Sequence, residues 1–148
     1  MFERNANHCF VCGPRNSSGL RVRFALHPEG YCHAHWTSTQ DYMGYDGVTH
    51  GGILFSLLDD VMANLFFLQG EICVTAKAEI RFRNPLQIGD TVLLQSKLTS
   101  RRRNLAVIEA SATREHDGLL IASSKGHFMI TGKLTADQLT ELHQTRHG

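Results

Sequence analysis

Residues 50–70, His50-Gly-Gly-Ile-Leu-Phe-Ser-Leu-Leu-Asp-Asp-Val-Met-Ala-Asn-Leu-Phe-Phe-Leu-Gln-Gly70, decide the fold. Leu54, Leu57, Leu58, Val61, Leu65 and Leu68 recur at three- and four-residue steps, the spacing of one helix face. No proline interrupts the run, and Gly70 stands where a residue in the left-handed region would end it. Ile53, Phe55, Met62, Phe66 and Phe67 make the helix apolar nearly all round, so other elements are expected to wrap it. Asp59, Asp60 and Asn64 interrupt an apolar run barely long enough to span a bilayer, which argues against a membrane helix.

The two aspartates are not equivalent. Ser56, Asp60 and Asn64 follow at four-residue steps and form a polar ridge. Asp59 has Phe55, Ser56, Met62 and Ala63 as helical neighbours, a mostly apolar setting in which a carboxylate needs a partner. At the other end, His50-Gly51-Gly52 opens the helix. Two glycines let a ligand approach the first-turn N–H groups, where the helix dipole favours developing negative charge. Such a start can stabilise an oxyanion, with the N–H groups around Gly51, Gly52 and Ile53 as its donors.

A His-Gly-Gly followed by a carboxylate nine residues after the histidine resembles the signature of PaaI-like hotdog-fold acyl-CoA thioesterases, of the 4-hydroxybenzoyl-CoA thioesterase superfamily. The resemblance implies an α+β hotdog fold, a curled antiparallel β-sheet wrapped around a long central helix. It also implies that the helix start at Gly52 polarises a thioester carbonyl while Asp59 attacks, directly or through water. His50 fixes the loop or hydrogen-bonds near the carbonyl. Thr75 matches the position of a family Ser or Thr that holds the attacking water or the carboxylate. Several family members carry an Asn about six residues before the histidine, where this chain has Gly44.

The segment 1–19 carries Cys9-Phe-Val-Cys12-Gly-Pro-Arg-Asn16-Ser-Ser-Gly19. Cys-x-x-Cys is half of a zinc knuckle, but no second pair follows, and Cys32, His33 and His35 are poorly spaced to complete it. The expectation is therefore a tight turn with no metal. A similar lead-in is familiar in uncharacterised hotdog proteins.

Leu20–His27 alternates as a half-buried strand, and His27-Pro-Glu-Gly30 turns it into a partner over 31–37. His33 and His35 share a face of that partner, without an evident third ligand. Residues 40–49 form a loop. Ile72, Val74, Ala76, Ala78, Ile80 and Phe82 alternate with polar residues as a long strand that ends at Asn84-Pro85. Strands over 91–99, 105–115 and 119–131 complete an antiparallel meander. The segment 100–104 places Arg101, Arg102 and Arg103 in a turn, where arginines suit coenzyme A phosphates. Thr135 and Gln138 form a capping box for a short helix closing the appendage 135–148.

The 148 residues read as a single domain, 1–148, with a net charge of +1. That balance argues against nucleic acid or an anionic membrane as partner. Met1–Asn7 lacks an apolar leader, and four scattered cysteines fit free thiols in a cytoplasmic protein. No cofactor is expected.

Gly52 and Asp59, seven residues apart, are separated by roughly 10 Å along one helix. A reacting carbonyl must lie about 3 Å from both the oxyanion donor and the attacking group. If both act on one carbonyl, they come from different subunits of a dimer or dimer of dimers. The expected function is hydrolysis of an acyl- or aryl-acyl-CoA. The alternatives are a non-catalytic acyl-CoA-binding protein on the same fold and a hotdog hydratase, for which no separate Asp/His pair is apparent.

Overall fold

The computed structural model describes residues 6–146. Residues 1–5, on which much of the leader reading falls, and residues 147–148 lie outside it. The elements are β1 (Ala25–Leu26), β2 (Cys32–Thr37), a 3-10 turn (Gln40–Tyr42), α1 (Gly51–Phe67), β3 (Glu71–Phe82), β4 (Thr91–Arg102), β5 (Leu105–Arg114), β6 (Leu120–Lys133) and α2 (Ala136–Arg146). The strands form one antiparallel sheet in the order β1-β2-β4-β5-β6-β3. The sheet curls around α1, which packs against β2 to β6. This is the α+β hotdog arrangement that the resemblance implied.

The helix stripe does what its periodicity demands. Leu57, Leu58, Val61 and Met62 lose essentially all contact with solvent, facing Val92, Leu94, Ile108 and Phe128 from the sheet. Gly70 leaves the helix end at φ +88°, and the side chain of Leu139 from α2 covers it. The capping box forms as expected: Gln138 N–H donates to Thr135 Oγ1 at 3.1 Å, and Thr135 N–H donates to Gln138 Oε1 at 2.9 Å.

Of the four strands read as one meander, only β4, β5 and β6 form one, since β3 pairs with β6 and β4 with β2. Three further expectations need correction. Leu20, Val22 and Phe24 are buried, yet only Ala25–Leu26 pairs as a strand. Leu20 and Val22 instead donate their N–H groups to Phe10 and Val11 carbonyls of the N-terminal segment, and Arg21 between them takes φ +53°. The arginine turn is shorter than expected. Arg101 and Arg102 continue β4, and the chain reverses at Arg103–Asn104, with Arg103 at φ +58°.

The third correction concerns β3. Thr75 pairs with Phe128 and Lys77 with His127, so Ala76 is an extra residue in the ladder. Such a bulge reverses which side of the sheet the following residues face. Before it, Cys73 and Thr75 reach α1, and Val74 is left 51% exposed. After it, Ile80 packs on the core and Phe82 lies against the helix start. The single apolar face read from alternation is thus two half-faces.

Close packing of β6 on α1 depends on Gly126. A Cβ there would sit 2.5 Å from Phe128 Cε2 and 3.0 Å from Met62 Cε, in side chains with no room to retreat. Gly126→Ala is expected to cost about 1–3 kcal/mol through overpacking. Urea unfolding checks this, and a wild-type midpoint would contradict the tight fit.

Candidate active site

The chain arrives at α1 through a loop held by its own backbone. Gly44 N–H donates to Val48 O at 2.9 Å, and His50 N–H donates to Tyr42 O at 2.8 Å. Gly44 passes close over His50: a Cβ there would lie 3.3 Å from His50 Cα. His50 is the N-cap of the helix, with extended backbone at φ −60° and ψ 134°. Its Nδ1 accepts the Gly52 N–H at 2.8 Å, so the imidazole serves as the capping group.

This cap changes the allocation of first-turn amides. Gly52 N–H is occupied by His50 Nδ1, and Ile53 and Leu54 N–H both donate to His50 O, at 3.0 and 3.2 Å. The sequence reading offered the N–H groups of Gly51, Gly52 and Ile53 as oxyanion donors. In the structure, Gly51 N–H is the first-turn amide with no acceptor among the described residues. It borders a cavity of about 720 Å³ lined by His50, Gly51, Leu54, Phe82, Arg83 and Leu86, among others. The Phe82 ring would lie 3.4 Å from a Cβ on Gly51, so glycine leaves that approach open. Phe82 and Arg83 were not singled out from the sequence; the only signal was their position at the end of a long strand.

Asp59 lies two turns further along α1, half-buried, and does not line that cavity. Thr75 Oγ1 donates to Asp59 Oδ1 at 2.7 Å, fixing the carboxylate and leaving Oδ2 for other work. The bulge after Thr75 belongs to this arrangement, since it lets Thr75 and Phe82 both address α1 from one strand. The neighbouring thiol is unsuited to attack: burial, and then the charges of Asp59, Asp60 and Glu71, push Cys73 up to about 11.

Asp60 faces elsewhere, as the ridge with Asn64 suggested. Asn64 Nδ2 donates to Asp60 Oδ2 at 3.1 Å, and Cys9 Sγ lies 3.8 Å from Asp60 Oδ1. The arginines are split. Arg101 pairs with Glu71 at 2.8 Å and its guanidinium lies 5.4 Å from the centre of the Phe66 ring, at the C-terminal end of α1. Arg102 and Arg103 are exposed beside a shallow depression. His35 Nδ1 meets Glu115 Oε2 at 2.9 Å on the surface. Neither it nor His33 belongs to a cluster of three metal-ligating side chains among the described residues.

Comparison with known proteins bears on this geometry. The family model of the thioesterase superfamily matches residues 46–121, from just before the helix start into β6. No curated protein matches the chain. Among solved structures, the Escherichia coli PaaI protein from the phenylacetic acid degradation operon is 24% identical, with TM-score 0.72 over 78% of this chain and 84% of that one. The smu.793 protein of Streptococcus mutans UA159, solved bound to acetyl-CoA, is 21% identical, with TM-score 0.70 over 77% and 91%. A hypothetical thioesterase of Streptococcus pneumoniae TIGR4, solved with coenzyme A, is 18% identical, with TM-score 0.71 over 77% and 91%. That protein was also solved with one aspartate changed to alanine and, separately, with a threonine sixteen positions further along so changed.

Proposed function

Because the chain belongs to the thioesterase superfamily, we propose that it is an acyl-CoA thioesterase, cleaving R–CO–S–CoA with water to a carboxylate and the free thiol. The observation that carries this reading is the Gly51 N–H at the start of α1, without an acceptor among the described residues and opening on a largely apolar cavity. There it polarises the thioester carbonyl and holds the oxyanion of the tetrahedral intermediate, aided by the helix dipole. Asp59, steadied by Thr75, supplies the attack. As a base it takes a proton from water and returns it to the departing thiolate; as a nucleophile it forms an anhydride that water then opens.

Gly51 and Asp59 are eight residues apart, so about 12 Å of helix separates them. The site is therefore completed across a dimer. β3 is an edge strand of twelve residues, with Val74 and Phe82 more than half exposed on it and Phe55 exposed on α1. An edge of this kind is a template for pairing with a second copy. If two β3 edges pair antiparallel with their twofold axis near Ala78–Glu79, Thr75 of one copy lies opposite Phe82 of the other. Thr75 bonds Asp59 and the Phe82 ring borders Gly51, so this pairing brings each Gly51 toward the other copy's Asp59. Arg102 and Arg103 are the cations of the arginine run left to meet the coenzyme A phosphates, since Arg101 is held by Glu71.

The direct test is thiol release from a panel of alkyl- and aryl-acyl-CoA thioesters. Turnover of at least one class is expected. Binding of the panel without hydrolysis would favour the non-catalytic acyl-CoA-binding alternative.

No helix among the described residues is long and apolar enough to cross a membrane.

A further inference from the structure

The Cys9-Phe-Val-Cys12-Gly13 turn lacks a second ligand pair in the sequence, but the fold supplies a third ligand from α1. Cys9 Sγ lies 3.8 Å from Asp60 Oδ1 and 4.0 Å from Oδ2. The ligand atoms of Cys9, Cys12 and Asp60 all lie within 4.8 Å of one another. A tetrahedral zinc ion with Zn–S of about 2.3 Å and Zn–O of about 2.0 Å needs S···S near 3.8 Å and S···O near 3.5 Å. Small side-chain adjustments bring the three groups to those spacings.

The surroundings also suit a metal. Gly13 closes the turn so tightly that a Cβ would meet Cys9 N and O at 2.4 and 2.5 Å. Asn64, only 2% exposed, bridges two of the three groups: its Nδ2 donates to Asp60 Oδ2 at 3.1 Å and lies 3.8 Å from Cys12 Sγ. A buried amide that orients a carboxylate and a thiol together has the place of an outer-shell partner, which fixes metal ligands in position. Its Oδ1 has no hydrogen-bond partner among the described residues, and Asn64 shares the lining of a cavity of about 520 Å³ with Cys9, Cys12 and Asp60. That cavity gives an ion a way in and a water room to serve as fourth ligand. Two sulfurs and one carboxylate suit zinc better than the hard cations magnesium or calcium.

We propose that Cys9 Sγ, Cys12 Sγ and the Asp60 carboxylate bind one zinc ion, with the fourth position open to this cavity. Binding displaces the two thiol protons into solvent and ties the N-terminal turn to the middle of α1, 51 residues away in sequence. The site is separate from Gly51 and from the Asp59–Thr75 pair, and does not depend on the thioesterase reading.

The test uses the full chain, reduced, stripped with chelator, and titrated with zinc chloride alone. One equivalent is expected to bind, with release of about two protons, and thermal stability should rise. Asp60→Asn is expected to weaken binding at least about tenfold, and the Cys9→Ser/Cys12→Ser double variant should abolish it. Cys73→Ser, altering a thiol that lines the same cavity, should still bind one equivalent. Cobalt(II) added to the unmodified protein should show thiolate-to-metal charge transfer, which keeps the test open if a cysteine variant fails to fold. Absence of binding or of that band, undiminished affinity in Asp60→Asn, or zinc retained by the double cysteine variant would each overturn the proposal.

Discussion

Asp59→Asn is expected to lower kcat at least about a hundredfold, the loss associated with a positioned base or nucleophile. The substitution is nearly isosteric, and an amide oxygen can still accept the Thr75 hydroxyl that now bonds Oδ1 at 2.7 Å. Helix, sheet edge and dimer should therefore persist, and the loss should appear in kcat and not in acyl-CoA binding. Thr75→Val tests the supporting role. It leaves the carboxylate in place without its hydroxyl donor, so its loss of turnover should be smaller than that of Asp59→Asn. Steady-state kinetics on protein shown to be folded by circular dichroism decides. Near-wild-type turnover by Asp59→Asn would remove Asp59 from the chemistry.

Mixed dimers should recover activity that neither parent has. Gly51→Pro deletes the proposed oxyanion donor itself. Gly51 is the first residue of α1, where proline is tolerated because that N–H makes no helical bond. His50, at ψ 134°, already holds the extended conformation that a residue before proline prefers. The Phe82 ring, more than half exposed, has space to shift from the added ring. Loss of one such donor is expected to cost about a hundredfold or more in kcat. Asp59→Ala disables the other component. In a mixed dimer with shared sites, one site carries both defects and the other carries neither. Statistical mixing makes about half of the dimers mixed, so co-expression should restore roughly a quarter of wild-type activity. Sites built within single chains would all remain defective. With subunit exchange verified by mass, no recovery would mean that Gly51 and Asp59 do not meet across an interface.

Elements that local periodicity and capping control were legible in the sequence. The Leu57–Leu58–Val61 stripe required a wrapped helix, Gly70 its end, and the Thr135/Gln138 pair the start of α2; each is present. The succession of one helix and four strands was also legible, because strands and hairpin turns signal themselves over a few residues; that β3 joins β6 at the far edge, and not β4, was not. Family resemblance marked Thr75 as holding either the attacking water or the carboxylate; alternation along β3 carries no trace of its bond to Asp59.

The remaining features share a common reason for being hidden: each depends on what lies opposite a residue in space. Whether Gly52 N–H is available turns on where the His50 ring settles, and here Nδ1 occupies it and leaves Gly51. Strict alternation along β3 was broken by an extra residue at Ala76, which is defined only by its pairing with β6. Leu20–Phe24 had the pattern of a strand but met the carbonyls of Phe10 and Val11 in place of a ladder. Cys9 and Cys12 read as half a site because their third neighbour, Asp60, comes from a helix turn 51 residues away. Periodicity reports which face of an element is buried, whereas hydrogen-bond partners and ligand sets are fixed only when the faces meet.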